Sequence, residues 1–243
     1  MTLALAERGL RAVLLDIEGT TTPISFVHDV LFSYARAHLR EHLEANGPGT
    51  TEAARLLQRE HQADVEHGLA PPELGNPPST DTLAAYLSWL MDRDRKSPAL
   101  KLLQGYIWER GYREGQLHGR VYPDVPGAIR RWRDAGLVVA IYSSGSELAQ
   151  RRLFESTGQG DLTPLISAFF DTSVGPKLAP ESYTKITDRL ALKPSEIVFI
   201  SDVTKELAAA RSAGLAAMLS LRPGNPAQPD SDGYEQVHSF EGI

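Results

Sequence analysis

Ala12-Val13-Leu14-Leu15 is an unbroken apolar run that stops at Asp16, and Gly19-Thr20-Thr21-Thr22 follows it. A short continuous run bounded by turn residues is the pattern of a strand buried on both faces. From Phe26 to Leu43 the period changes. Val27, Val30, Leu31, Tyr34, Ala35, Leu39 and Leu43 recur close to the helical repeat, and Asn46-Gly47-Pro48-Gly49 ends it. A second helix is predicted over Thr51–Val65, followed by a loop from Gly68 to Ser79 with four prolines. Thr80-Asp81 opens a third helix that runs to about Asp94. Ser97 reads as the cap of a fourth, with Pro98 at its first position, running to about Tyr112. Residues 25 to about 117 therefore read as all-helical.

Strand and helix patterns alternate from Val121 onward. Helices are predicted over Pro126–Ala135, Glu147–Ser156, Pro180–Leu190 and Lys205–Ala213. Strands are predicted at Leu137–Tyr142, Ala168–Phe170, Ile197–Ile200 and Ala216–Leu221, and a surface loop at Pro223–Asp232. Such alternation implies right-handed crossovers and a parallel sheet. The expected architecture is α/β: a core of residues 1–24 and 118–243, with a helical cap of residues 25–117 inserted after the first strand. An insertion at that place would lie over the carboxyl ends of the strands, excluding water and adding substrate contacts.

The 243 residues are 42% apolar, enough for a sizeable core, and carry a formal charge of −6. No dense Lys/Arg run is present, so nucleic acid is not an expected partner. There are no cysteines, which excludes disulfides, a thiolate nucleophile and a Cys-containing zinc site. That composition fits a reducing compartment, and a cytoplasmic location is the expectation. Met1 to Gly9 lacks the long apolar core of a signal peptide, and no stretch approaches 18 apolar residues, so no membrane span is expected. An acidic chain that binds a phosphate ester needs local positive charge, from a metal ion or a placed lysine.

Candidate chemistry gathers at the predicted strand ends, where ligands bind in open α/β sheets. Asp16 and Glu18 follow the first strand. A carboxylate can attack phosphorus and form an aspartyl-phosphate, and a second can move protons. The plain alternative is a turn, since Asp bonds its own backbone. Ser143-Ser144-Gly145-Ser146 follows the next strand and suits a phosphate oxygen, or simply caps a helix through Ser146. Lys177 lies in a loop before a helix; it is either solvated or placed to neutralise a transferring phosphoryl group. Ser201-Asp202 ends the strand Ile197–Ile200, and Asp202 would stand near Asp16 if the two strands are neighbours. Clustered carboxylates with a phosphate suit Mg²⁺. Alternatively Ser201, Asp202 or Thr204 caps the next helix, and Glu206 reads as a solvated helix residue.

Taken jointly and in this order, these segments resemble the four motifs of the haloacid dehalogenase-like superfamily of aspartate-nucleophile phosphohydrolases. They are Asp16-Ile17-Glu18-Gly19-Thr20, Ser143-Ser144-Gly145, Lys177, and Ser201-Asp202 with Glu206. The resemblance implies a Rossmann-like parallel sheet core. One departure stands out, because the superfamily's phosphatases usually carry Asp where this chain has Glu18. With Leu15 to Ile24, Phe26-Val27, Phe170-Asp171-Thr172, Gly175, Asp202 to Glu206 and Arg222-Pro223-Gly224-Asn225, the chain is similar to the enolase-phosphatase (acireductone synthase) family of methionine salvage.

That resemblance implies a bifunctional enzyme. Its substrate would be the small phosphorylated diketone 2,3-diketo-5-methylthiopentyl-1-phosphate, first enolised and then dephosphorylated. It implies Asp16, Glu18 and Lys177 as catalytic residues, and Ser143, Ser144, Gly145 and Lys177 as substrate-binding residues. One Mg²⁺ per subunit would be held by Asp16, Asp202 and the Glu18 backbone carbonyl. A monomer is the expected assembly. Two other readings stay open: another sugar-phosphate or haloacid hydrolase on the same scaffold, and a non-catalytic binding protein. The last should have lost one of Asp16, Glu18, Lys177 or Asp202, and all four are present.

Overall fold

The computed structural model describes residues 5–243. The amino-terminal segment read as lacking a signal peptide therefore lies partly outside the described residues. Among those described, no helix is long and apolar enough to cross a membrane. The chain divides into two compact units, one running to Val27 and resuming from His118 to Ile243, the other His28–Leu117.

The first unit is built on a six-stranded sheet. Its strands are β1 (Ala12–Leu15), β2 (Val138–Tyr142), β3 (Ala168–Phe170), β4 (Ile197–Ser201), β5 (Ala216–Ser220) and β6 (Glu235–Val237). They run in the order β3-β2-β1-β4-β5-β6, and every pairing is parallel. All four β1 residues and all five of β4 are buried, which is why they read as continuous apolar runs rather than alternating ones. Helices α5 (Val125–Asp134), α6 (Glu147–Glu155), α7 (Pro180–Leu190) and α8 (Thr204–Ser212) supply the crossovers. Tyr142, Tyr183 and Phe199 meet in the core, with Tyr183 and Phe199 centroids 5.2 Å apart at 60°.

The order of strands places the site. The chain continues from β1 to β2 on one side, whereas β4 flanks β1 on the other. Adjacent connections leaving in opposite directions open a crevice at the carboxyl ends of β1 and β4. Leu15 is in register with Ile200, so Asp16 and Ser201 leave the sheet side by side.

The second unit consists of α1 (Ser33–Glu44), α2 (Thr50–Glu66), α3 (Thr80–Met91) and α4 (Pro98–Arg113). Ser79 and Thr82 form a capping box at the start of α3, and Ser97 Oγ accepts the Leu100 N–H at 3.0 Å at the start of α4. Leu57, Tyr86, Leu87 and Leu103 are fully buried. One polar group enters that core. Asp64 is 3% exposed and accepts from Tyr86 Oη at 2.7 Å and Arg95 at 2.6 Å, so its desolvation is compensated.

Two local features differ from expectation. The segment expected to begin as an α-helix at Phe26 is π-helical over Phe26–Phe32 before α1 starts. Within it the Leu31 carbonyl accepts the Trp108 indole N–H at 2.7 Å, a partner from α4 that periodicity cannot anticipate. Strand β6 was not expected. It is three residues long with Glu235 and Gln236 exposed, so it has no apolar signature of its own.

Candidate active site

Asp16 extends the β1 ladder through its own N–H, which donates to Ile200 O at 3.0 Å. The chain then turns sharply. The N–H groups of Thr20, Thr21 and Thr22 all converge on Ile17 O, and Gly19 N–H donates to Thr22 O at 2.8 Å. Thr21 Oγ1 closes the turn from inside by donating to Asp16 O at 3.1 Å. The three threonines are buried and belong to the architecture of this loop.

The Asp16 carboxylate is 4% exposed and meets a cation at once. Lys177 Nζ donates to Asp16 Oδ1 at 2.6 Å and also pairs with Glu206 Oε2 at 2.5 Å. Lys177 itself is 8% exposed, so it is not one of the solvated lysines. Its loop between β3 and α7 is braced on three sides. Tyr183 Oη donates to Lys177 O at 2.8 Å, Tyr142 Oη to Gly175 O at 2.9 Å and Ser182 Oγ to Pro176 O at 2.8 Å. Gly175 is required there, because a Cβ at that position would run into the Ser182 hydroxyl. Burial works against the Lys177 charge, but Asp16 and Glu206 outweigh it and hold the ammonium above its ordinary pKa.

Glu206 corrects the sequence reading. It lies in the first turn of α8 but turns inward, accepting from Ser201 Oγ at 3.0 Å as well as from Lys177. Burial raises its pKa against the pull of Lys177. Ser201 Oγ also stands 3.4 Å from Asp16 Oδ2. A hydroxyl has one proton, so the nearer Glu206 is its better acceptor. The capping alternative for β4's end does not hold in the form considered. The cap position of α8 is Val203, without a side-chain capping bond, although Ser201 Oγ does accept the Val203 N–H at 3.2 Å.

Asp202 is 6% exposed and packs against the turn after β1. A Cβ at Gly19, whose φ is +68°, would overlap the Asp202 carboxylate. Burial first, then the neighbouring Asp16, push the Asp202 pKa up to about 7. Asp16, Asp202 and Glu206 thus share a buried space with a single lysine. That surplus of oxygen charge fits a divalent cation. Among the described residues no group of three His, Cys, Asp or Glu side chains is arranged to hold a metal unaided. Mg²⁺ does not need one, since it binds through one or two carboxylates with waters and substrate phosphate completing its shell. The buried carboxylates of Asp16 and Asp202 are of the kind such a site uses.

At the end of β2, Ser146 does cap α6, accepting the Ala149 N–H at 3.3 Å. Ser143 is buried, and its Oγ accepts the Gly145 N–H at 3.4 Å within its own turn. Ser144 is left exposed at the strand end next to β1. Glu18 is half-buried on the turn beyond Asp16. The structure thus joins Asp16, Lys177, Glu206, Ser201 and Asp202 in one cluster, with Glu18 and Ser143–Gly145 on the adjoining loops.

Comparison with known proteins shows the family of the chain. Residues 10–214 match the model of the haloacid dehalogenase-like hydrolases. Enolase-phosphatase E1 of Drosophila grimshawi is 42% identical over 99% of both chains, and that of Sorangium cellulosum 46% identical over 91% of this chain and 92% of its own. A Vitis vinifera protein described as a probable bifunctional methylthioribulose-1-phosphate dehydratase/enolase-phosphatase E1 is 44% identical over 98% of this chain but only 48% of its own. The chain therefore spans about half the length of the plant relatives it matches. Among solved structures, the UTR4 protein of Saccharomyces cerevisiae superposes with a TM-score of 0.76 at 33% identity, covering 96% of this chain and all of that one. A haloacid dehalogenase-like (HAD) phosphatase of Thermococcus onnurineus, at TM-score 0.60 and 20% identity, shares the fold. With an aspartate after β1, a lysine in the loop before α7 and a second aspartate after β4, and with the Drosophila and Sorangium relatives matched over more than nine-tenths of their own length, the chain belongs to the haloacid dehalogenase-like hydrolases and, within them, to the enolase-phosphatase E1 family.

Proposed function

We propose that this protein enolises 2,3-diketo-5-methylthiopentyl-1-phosphate and then removes its phosphate, yielding 1,2-dihydroxy-3-keto-5-methylthiopentene. The observation that carries this reading is the buried Asp16 carboxylate paired with Lys177 at 2.6 Å, with Glu18 where phosphatases of the wider superfamily have Asp. Mg²⁺, when held by Asp16, Asp202 and the Glu18 carbonyl, supplies positive charge to the phosphate.

Enolisation comes first. The C1 hydrogen is acidified by the adjacent ketone, and the Glu18 carboxylate removes it while the C2 oxygen takes a proton from solvent. Ser144, the backbone of Gly145 and Lys177 hold the phosphate meanwhile, with Ser143 shaping the turn that presents them. Asp16 then attacks phosphorus and the bond to the ester oxygen breaks. Glu18 gives that oxygen its proton. It next takes a proton from water, which hydrolyses the aspartyl-phosphate and releases phosphate, and Glu18 then returns that proton to solvent.

Incubating the diketo-phosphate with protein and Mg²⁺ tests the proposal, with enol absorbance and released phosphate followed together. Both signals are expected. Phosphate without enol would favour the alternative of another phosphatase on this scaffold, and neither signal would overturn the reading.

Exhaustive chelation is expected to abolish phosphate release, and added Mg²⁺ to restore it, because clustered carboxylates repel a phosphate dianion. Full turnover in the chelated sample would count against the donor set. Lys177→Ala is expected to lose roughly 10²–10³-fold in rate, the usual cost of removing one electrostatic stabiliser. A thermal melt accompanies that assay, since the change leaves two buried carboxylates unpaired. A near-normal rate would remove Lys177 from the mechanism.

A further inference from the structure

The turn that carries Glu18 is gripped from outside the cluster described above. Asn225 Nδ2 donates to Gly19 O at 2.8 Å, and Ser220 Oγ donates to the same carbonyl at 3.1 Å. Arg222 Nε donates to the next carbonyl, Thr20 O, at 3.1 Å. Three side chains from the end of β5 thus fix two consecutive peptides beyond Glu18.

Arg222 is itself locked. It is 6% exposed and its guanidinium lies over the rings of Tyr122 and Phe240, at 4.6 and 4.3 Å from their centroids. It donates to Asp124 Oδ2 at 2.8 Å and to His238 O at 3.2 Å. Asp124 Oδ2 also accepts Phe240 N–H at 2.6 Å and Ser239 Oγ at 3.3 Å. Burial alone would raise the Asp124 pKa, but the Phe240 N–H and Arg222 hold it below the usual carboxylate value, so the pair is ionic. Arg222 is thus a buried cation packed against two rings, with its charge answered by Asp124. Its Nε is directed at the backbone of the Glu18 loop.

We propose that Arg222 and Asn225 are positioning residues that hold the Gly19–Thr20 peptides and thereby aim the Glu18 carboxyl at the ester oxygen. This rests on the proton-donating role of Glu18 given above. A carboxyl displaced by about 1 Å transfers its proton poorly, and such misplacement costs on the order of 10²-fold. The need for that proton depends on the leaving group. Nitrophenolate leaves unaided, whereas a more basic oxygen must be protonated as the P–O bond breaks.

The experiment measures kcat/KM, which reports steps through phosphoryl transfer to Asp16, on phenyl phosphates of graded leaving-group acidity and on the diketo-phosphate. Asn225→Ala is the main variant, because it leaves the Arg222–Asp124 pair intact; Arg222→Lys is the second, chosen to keep a cation beside Asp124. Activity on p-nitrophenyl phosphate is expected to stay within a few-fold of wild type. Unsubstituted phenyl phosphate and the diketo-phosphate should fall by roughly 10–10²-fold. An equal fall across the series would mean a merely structural role and overturn the proposal, as would no fall at all. Failure of the wild type on the diketo-phosphate alone would sink the substrate assignment but leave the phenyl phosphate series readable.

Discussion

Asp16→Asn is expected to abolish phosphate release while leaving the protein folded. The amide keeps the shape of the side chain and an oxygen for the Lys177 ammonium, which now stands 2.6 Å from Asp16 Oδ1. It loses the charge and lone-pair reactivity that let a carboxylate attack phosphorus. Removing a covalent nucleophile has cost on the order of 10⁶-fold in turnover in a well-studied hydrolase, and a loss of that order is expected here. Stability should move the other way or not at all. Asp202 is already pushed up to about 7 by burial and by the charge on Asp16, so deleting that charge relieves a repulsion. Lys177 retains Glu206 as its partner at 2.5 Å. Single-turnover phosphate release together with a thermal melt measures both effects. Wild-type-like release would remove Asp16 as nucleophile, and collapse of the fold would show that its charge is needed for structure.

Glu18→Gln is expected to lose enolisation and phosphate release together, each by roughly 10²–10⁴-fold. Compared with the Asp usual at this position, Glu18 reaches further by one carbon–carbon bond, about 1.5 Å. In the proposed mechanism that reach is what would let one carboxyl serve both the C1 hydrogen and the ester oxygen. The two steps make different demands on geometry. Attack on phosphorus requires an in-line approach from Asp16, whereas a base at C1 does not. Asp16→Asn should therefore retain some enolisation where Glu18→Gln retains little. Solvent deuterium exchange at C1 of the diketo-phosphate, read by NMR for each variant, separates them. If Glu18→Gln exchanges at the wild-type rate, the enolising base is another residue, and the dual role of Glu18 is wrong while the phosphatase assignment stands.

Much of the scaffold was legible because both of its periodicities are strong. Ala12–Leu15 and Ile197–Ser201 are buried throughout, so each appears as a plain apolar run. Pro180 sits at the first position of α7 and Leu190 is its last residue, as expected from the sequence pattern. The signal failed where a partner elsewhere in the chain decides local structure. The π-helical turn at Phe26–Phe32 engages the Trp108 indole, and Glu235–Val237, with only Val237 buried, is a strand because it pairs with β5. Glu206 was misread for the same reason. A glutamate in the first turn of a helix is ordinarily solvated, and only the loop before α7 brings Lys177 against it.

By itself the sequence determined which chemical groups stand at the strand ends, and in what order. Asp16, Ser143 and Asp202 each follow a segment whose apolar character marks where backbone leaves the core, and Lys177 lies in the loop before a helix. Only the tertiary structure decided which of those groups touch. The parallel register of Leu15 with Ile200 sets Asp16 beside Ser201, and the strand order β2-β1-β4 brings three loops to one crevice. It also decided the charge balance, because burial and separation, not residue identity, determine that one lysine serves two carboxylates and that Asp202 resists ionisation. Local patterns specify elements through short-range periodicity and capping. Electrostatics in a desolvated site depends on distances between residues far apart in the chain, and packing alone fixes those.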